Sequence, residues 1–375
     1  MKAGWQTKPF EECIEKVTYT SKIQRKDFLE DGAYPIISQE DAFINGYWDN
    51  EDDLYKVKTP IVVFGDHTKI LKYVDFDFVL GADGVKILPP RDFLLPKFFY
   101  YQLQTANLDS LGYARHYKLL KELEIAYPSR AEQQRIVGIL DAAFDGIATA
   151  KANAEQNLQN ARALFESYLQ SVFTQRGEGW MDTVIGECIR FIDYRGKTPQ
   201  KTESGLRLIT AKNVKMGYVQ DEPREFVAPD SYDGWMTRGI PKFGDVLFTT
   251  EAPLANVAQL ETDEKVVFAQ RIIIMQPDAS RLDSTFLKYL LLSQPVQQRI
   301  HAKGTGATVQ GIKASLLKTI EISFPKSVTE QRQLVAKLDV LREENQRLES
   351  LYQRKLAALD ELKKSLLHQA FSGAL

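Results

Sequence analysis

The sequence predicts an α+β protein built by tandem duplication. Two small domains of mixed sheet and short helix are separated and joined by two long antiparallel coiled-coil helices, with pseudo-twofold symmetry. Three observations predict it. Glu132 to Phe173 aligns with Glu330 to Phe371 without gaps, with 10 identities in 42 positions. The segments ahead of these two also correspond in order. The sequence between them consists of short β-type runs punctuated by Gly, Pro and Asp.

The elements follow in order. The first unit opens with Gly4-Trp5 and Glu12-Cys13-Ile14, and the second with Gly179-Trp180 and Glu187-Cys188-Ile189. Tyr19 and Lys22 match Tyr194 and Lys197 at the same offset. Ile36-Ile37 and Gly46-Tyr47 sit where Leu208-Ile209 and Gly217-Tyr218 do. Strands are expected at Ile61 to Phe64, Val74 to Leu80, Val246 to Phe248, Val266 to Phe268 and Arg271 to Met275. Phe98 to Leu103 and Phe286 to Leu292 read as short amphipathic helices. Each long helix is announced by an apolar-Pro segment, Leu123 to Pro128 and Ile320 to Pro325. Glu132-Gln133 or Glu330-Gln331 follows, then Leu140-Asp141 or Leu338-Asp339. The domain boundaries expected are 1–128, 129–177, 178–325 and 326–375.

From Ala131 to Phe173 there is no Pro and only two Gly; from Thr329 to Phe371 there is neither. Helices of that length would run about 65 Å and need a partner along them. The second carries a seam at Leu334, Leu338, Leu341, Asn345, Leu348, Tyr352, Lys355, Leu359, Leu362 and Leu366, with the alternating spacing of a coiled coil. The equivalent seam of the first is Ile136, Leu140, Ala143, Ile147, Ala150, Ala154, Asn157, Ala161, Leu164 and Tyr168. Leucine facing alanine suggests that the helices pack on each other, with Asn157 and Asn345 near one level. The alternative is that each meets another chain.

Composition bounds the function. The 375 residues allow two to three domains, and 44% hydrophobic with 26% charged residues excludes a disordered or collagen-like chain. No apolar run approaches the ~18 residues of a membrane helix. The start, Met1-Lys2-Ala3-Gly4-Trp5, lacks the apolar run of a signal peptide, so a cytoplasmic protein is expected. Cys13 and Cys188 make neither a disulfide framework nor a zinc set; flanked by Ile at equivalent positions, they read as buried thiols. A net charge of −2 excludes a simple polycation for nucleic acid.

Catalytic chemistry is missing. Arg195-Gly196-Lys197-Thr198 resembles the end of a P-loop, but Phe191 stands where the upstream Gly is required. His67, His116, His301 and His368 show no metal spacing. His67, in Gly65-Asp66-His67-Thr68, has no evident nucleophile beside it. The only Pro-Pro is Pro89-Pro90, followed by Arg91, so the motif of amino-methyltransferases is absent. The chain reads as a binding protein that holds no cofactor or metal.

Together these features closely resemble the specificity (S) subunit of type I restriction–modification systems. The resemblance covers essentially the full chain. It is carried by Leu119 to Leu140, Leu316 to Leu338, Ile36-Ile37-Ser38-Gln39, Val63 to Thr68 and Gly304 to Gln310. It implies a non-catalytic DNA-recognition subunit whose two globular parts are target-recognition domains, each reading half of an asymmetric, bipartite site in double-stranded DNA. It implies that the helices act as spacer and dock two modification (methyltransferase) subunits and the restriction/translocase subunits. S-adenosylmethionine, ATP and Mg are then expected on those partners, and no membrane.

Residues 1–128 hold 16 Lys and Arg against 20 Asp and Glu, and residues 178–325 hold 18 of each. DNA affinity must come from local faces, and the isolated chain should bind weakly. Loop position and residue type suggest Lys22, Gln24, Arg25, Lys26, Ser38, Gln39, His67, Thr68, Lys69, Arg115, His116, Tyr117 and Lys118 in the first domain. In the second they suggest Arg195, Lys197, Thr198, Lys201, Lys212, Asn213, Thr249, Thr250, Lys303, Thr305, Thr308, Gln310 and Lys313. Arg and Lys can read guanine, and Asn or Gln adenine. Helix pairing is assigned to Leu140, Ile147, Asn157 and Leu164 against Leu338, Leu341, Asn345, Leu348, Leu359 and Leu362. Three rivals stand: a stand-alone DNA-binding regulator with a coiled-coil spacer, a structural adaptor, and an enzyme such as a methyltransferase or nucleoside triphosphatase. Tight DNA binding without partners, tolerance of neutral loop changes, or S-adenosylmethionine or ATP bound by the lone chain would mark each in turn.

Overall fold

Both breaker-poor segments form single helices of 45 residues in a computed structural model that describes residues 4–108, 114–194, 198–269, 271–306 and 309–375. The first half of the chain contains β1 (Gln6–Pro9), α1 (Phe10–Cys13), β2 (Lys22–Ile23), β3 (Tyr34–Ile37), β4 (Gly46–Trp48), β5 (Leu54–Tyr55), β6 (Ile61–Gly65), β7 (Leu71–Val74), β8 (Phe78–Gly81), β9 (Val85–Leu88), α2 (Pro96–Gln104), α3 (Tyr117–Lys121), β10 (Glu124–Tyr127) and the long α4 (Arg130–Thr174). The second contains β11 (Trp180–Val184), α5 (Ile185–Cys188), β12 (Ile189–Asp193), β13 (Lys201–Thr202), β14 (Leu206–Ile209), β15 (Glu225–Val227), α6 (Tyr232–Trp235), β16 (Val246–Thr250), β17 (Leu254–Gln259), β18 (Val266–Phe268), β19 (Ile272–Pro277), α7 (Ser284–Leu292), α8 (Gln294–Lys303), α9 (Ala314–Lys318), β20 (Glu321–Pro325) and the long α10 (Val328–Ser372). The chain divides into two units, Met1–Gln156 with Tyr352–Leu375, and Asn157–Leu351. Each unit holds one globular part and a stretch of both long helices.

In the first unit β1 and β10 pair antiparallel, with Gln6 opposite Tyr127, and so join the chain's start to the foot of α4. One sheet runs β2-β8-β3-β4, with β5 also on β8; β2 and β3 lie parallel to β8. A second sheet runs β7-β6-β9. The run from Val74 to Leu80 is two strands rather than the single one its composition suggests. Exposed Asp75 and Asp77 lie in the break between the two strands, and Asp77 accepts the Val57 N–H at 2.7 Å instead of continuing the ladder. Phe10, Phe64, Phe98, Phe99, Ile136 and Leu140 share a core with Leu367 and Ala370 from the far end of α10. Burying such side chains contributes about 1.5–3 kcal/mol each.

The second unit repeats this plan. β11 and β20 pair antiparallel, with Met181 opposite Phe324. Its sheets run β12-β19-β16-β17 and β13-β15-β14-β18, with β14 parallel to β18. Phe286, Phe324 and Leu338 share a core with Leu169 and Phe173 near the end of α4. In each unit, then, the globular part packs on the start of the helix that follows it and on the end of the other. Phe371 meets Phe98 at 5.1 Å between ring centroids, and Phe173 meets Phe286 at 5.4 Å.

The Glu-Gln signature has a structural cause. Gln133 is wholly buried; its Oε1 accepts the Leu95 N–H at 2.8 Å, and its Nε2 donates to Phe93 O and Pro128 O. Gln331 does the same with Asp283 N, Arg281 O and Pro325 O. Each amide satisfies three backbone groups that would otherwise be buried without partners.

The helices run antiparallel in each unit. Lys151 pairs with Asp360 at 2.6 Å in the first, and Arg162 with Glu349 at 3.2 Å in the second. Ile136, Leu140, Ile147, Ala154 and Ala161 of the expected seam are buried, as is Leu338, and Leu341, Leu348 and Leu359 are partly buried. The packing departs from the expected pairing at three points. Asn157 is exposed and Leu164 is 63% exposed, while Leu158 and Phe165, one residue on, are partly buried. Likewise Lys355 and Leu362 are exposed; Leu356 is partly buried, and Lys363 stacks over Phe144 at 5.2 Å. The seam of α10 slips by one residue after Tyr352, a stutter in the heptad. The asparagines do not share a level, because the Arg162–Glu349 pair brings Asn345 opposite the region of Glu166. Asn345 Nδ2 instead donates to Glu349 on its own helix at 2.9 Å. Among the described residues no helix is long and apolar enough to cross a membrane.

Candidate nucleic-acid interface

In the first unit three loops meet beyond the ends of β3, β6 and β8. The loop after β6 is the hub. Asp66 is buried, and its N–H donates to Gly84 O at 2.7 Å. Its carbonyl accepts the His116 N–H at 2.7 Å, and its carboxylate accepts the Tyr117 N–H at 2.7 Å. Gln39 joins from the β3 side: its Oε1 accepts from His67 N at 3.1 Å, and its carbonyl accepts from Thr68 Oγ1 at 2.6 Å. Lys69, at φ +63°, donates through Nζ to Leu108 O.

Cations gather beside this hub. Lys22 Nζ donates to Val85 O and lies 4.8 Å over the Tyr19 ring. Burial lowers its pKa, and Lys86 and Arg115 add repulsion that Asp83 and Asp66 oppose. Lys86 lies 5.3 Å over the Tyr117 ring. Gln24, Arg25, Lys26, Arg115 and Lys118 are exposed, with Arg25 paired to Glu40 at 2.6 Å.

The second unit repeats the hub with different side chains. Thr250 N donates to Arg271 O at 2.8 Å, and Thr250 O accepts from Ile312 N at 2.9 Å. Glu251 bridges to Gly311, and Gly311 exchanges two backbone bonds with Thr305. A cleft of about 230 Å³ opens here, lined by Thr198, Lys201, Ala211, Lys212, Glu225 and Arg271 among others. Lys201 pairs with Glu225 at 2.8 Å, Lys212 reaches the same carboxylate at 3.9 Å, and Arg271 pairs with Glu251 at 3.0 Å. Both carboxylates are engaged by cations that outnumber them.

Several expected contacts are instead internal staples. Ser38 is 3% exposed and exchanges bonds with Glu40; His116 is 1% exposed, with Nδ1 against Asp66 O. Asn213 is buried, bonding Thr210, Gln220 and Pro223. Buried Thr249 donates to Pro253 O, and buried Thr250 to Arg271 O. These side chains shape the loops from inside. Exposed Lys303 bonds Thr319, and exposed Gln310 bonds His301, while Thr305 and Lys313 are also exposed. Arg195, Lys197 and Thr308 lie outside the described residues.

The chain matches the model of the type I restriction modification DNA specificity domain over residues 2–160 and 238–353. The chain belongs to that family. It is 25% identical to the specificity subunit of the Escherichia coli type I restriction enzyme EcoR124I/EcoR124II, over 84% of this chain and 81% of that one. The E. coli EcoBI specificity subunit is 22% identical, over 88% and 75% of the two chains. A chain solved in work on complex assembly and conformational transition of the type I R-M system shares the fold, with TM-score 0.77, 18% identity, and coverage of 100% and 99%. The HsdS subunit from Thermoanaerobacter tengcongensis aligns with TM-score 0.56 and 19% identity, over 99% and 97%.

In this type I specificity subunit, loop position alone did not single out Lys86 or Arg271. Strand alternation marks Lys86, since Val85 and Ile87 on either side are buried. Arg271 hides at the edge of an apolar strand. Among the described residues no group of three or more His, Cys, Asp or Glu is placed to hold a metal ion.

Proposed function

We propose that this specificity subunit reads an asymmetric, bipartite DNA site, one half-site per globular part, and docks two methyltransferase subunits and the restriction subunits along its helices. The observation that carries the reading is the repeated hub. In each unit a buried residue at the end of the equivalent strand, Asp66 or Thr250, ties three loops into one face through matching backbone bonds. A rigid backbone with different side chains on it is the arrangement that sequence readout needs, with phosphate contacts setting position and base contacts setting sequence. Lys22, Lys86 and Arg115 would serve the first half-site, and Lys201, Lys212 and Arg271 the second.

The near-neutral charge of each globular part supports sharing the DNA with partner chains. Methyl transfer and translocation, with S-adenosylmethionine, ATP and Mg, are assigned to those partners, in the cytoplasm where the genome lies. The test is a genome-wide map of methylated adenines with and without this gene. Loss of one asymmetric, bipartite motif on deletion is expected. An unchanged map, together with failure to recover methyltransferase subunits on the chain, would overturn the proposal.

A further inference from the structure

The two hubs place different side chains at one equivalent position. Gly84 directly precedes β9, has φ +79°, and its carbonyl accepts from Asp66 N. Arg271 directly precedes β19, has φ +71°, and its carbonyl accepts from Thr250 N. The two residues are structural counterparts. A left-handed backbone suits glycine and strains arginine. In the second unit, then, a side chain stands where the fold asks for none.

The facing position is exchanged in the opposite sense. Gln39 lies two residues beyond Ile37, which pairs with Leu80 of the parallel strand. Ala211 lies two residues beyond Ile209, which pairs with Phe268. A Cβ on Gly84 would come within 2.6 Å of Gln39 Oε1 and 3.0 Å of His67 Cδ2. Gln39 therefore fills this space in the first unit. In the second unit Ala211 is small, and Arg271 lines the same cleft with it. A long polar side chain reaches the face in both units, but from opposite loops.

We propose that Arg271 is a specificity-determining residue that reads a guanine in the half-site of the second unit, and that Gln39 occupies the equivalent reading position of the first. This rests on the DNA-reading function proposed above. Strain retained at a residue that packs nothing into a core points to a functional side chain. The guanidinium is half exposed, and its partner Glu251 sits on the bridge to the Thr305–Gly311 loop. That pair holds the donor fork in place and screens it until a base edge replaces the carboxylate. Arginine matches the two acceptors of guanine in the major groove. Lys201 and Lys212, beside it, suit phosphate.

The test replaces Arg271 with Gly in the native gene and maps methylated adenines in the host. Glycine is the residue the backbone favours, so R271G is expected to melt no lower than the wild type. One guanine in one half-site should become degenerate, with preference there reduced roughly 10- to 100-fold. The gap and the other half-site should stay unchanged. Gln39→Ala should relax a position in the other half-site instead. An unchanged motif in R271G, or uniform loss of methylation by a folded R271G chain, would overturn the inference while leaving the DNA-reading function standing. A wild-type gene that directs no bipartite motif would overturn both.

Discussion

The phenol of Tyr101 donates to the carboxylate of Asp141 at 2.5 Å and so binds α2 to the fourth turn of α4. Its counterpart Tyr289 makes the same bond to Asp339 on α10. Both tyrosines are buried, and burial and then the carboxylate push their pKa values far above the ordinary tyrosine value. Each bond fixes a globular part on the helix that follows it.

Removing either phenol should loosen that unit. Asp141 keeps Lys97 at 2.9 Å, so Tyr101→Phe leaves no isolated charge. A hydrogen bond to a charged group contributes about 1.5–3 kcal/mol. Tyr101→Phe and Tyr289→Phe should each lower stability by about that much in chemical denaturation. A loss below ~0.5 kcal/mol in both would show that the bonds are ornamental.

Replacing the clamp glutamines should cost more. Gln133→Leu would leave Leu95 N, Phe93 O and Pro128 O buried without a partner, each worth about 1–3 kcal/mol. The expected loss is at least ~3 kcal/mol. Faster hydrogen exchange at Leu95 should accompany it, and at Asp283 for Gln331→Leu. Unaltered exchange at those amides would refute the clamp.

These clamps mark what the sequence could and could not disclose. The duplicated Glu-Gln and Leu-Asp pairs were visible as a pattern, and their use became visible only with the backbone groups they satisfy. The helices were legible from missing Pro and Gly, but the seam frame was not. Leu164 is as apolar as Leu158 and Phe165, so two frames fit until packing chooses one. The loops were legible as loops. Ser38, His116, Asn213, Thr249 and Thr250 were not legible as staples, because a polar loop residue can face inward or outward with the same composition. Arg271 was hidden by a backbone angle that sequence does not display.

The cation face makes a salt-dependent prediction. If Lys86 meets a phosphate, Lys86→Ala in the assembled enzyme should weaken binding to all sequences alike. The slope of log affinity against log salt should fall by about 1. Lys201→Ala should do the same for the second unit. A slope unchanged in both variants would remove these lysines from the DNA face.

The two cysteines should be inert in the folded chain. Cys13 and Cys188 are buried, and burial raises each thiol to about 11. At pH 8 the thiolate is scarce and shielded, so native protein should resist alkylation and denatured protein should react at both sites. Fast labelling of native protein at pH 8 would contradict this. A thiol raised from 9.0 stays protonated longer in the fold, so its contribution is complete below pH 9 and is lost as pH rises through about 11.

Lys72 gives the opposite slope. Its ammonium is buried under the loop after β3, donating to Ala42 O, Phe43 O and Asn45 Oδ1. Burial lowers its pKa to about 8, against the attraction of Glu40 and Asp41. Between about 8 and 10.5 the unfolded chain holds a proton that the folded chain has released, so stability rises with pH across that window. Below pH 8 the cost of burying the charge is borne in full. Both thiols act with the reverse sign at the upper edge of the window, so wild type alone would show a blunted curve. Lys72→Met retains the cysteines and removes the ammonium. The stability of wild type minus that of Lys72→Met should therefore climb from pH 7.5 to 10, by on the order of 1–3 kcal/mol. A flat difference would mean that Lys72 keeps an ordinary lysine pKa and that water reaches the ammonium beneath the loop.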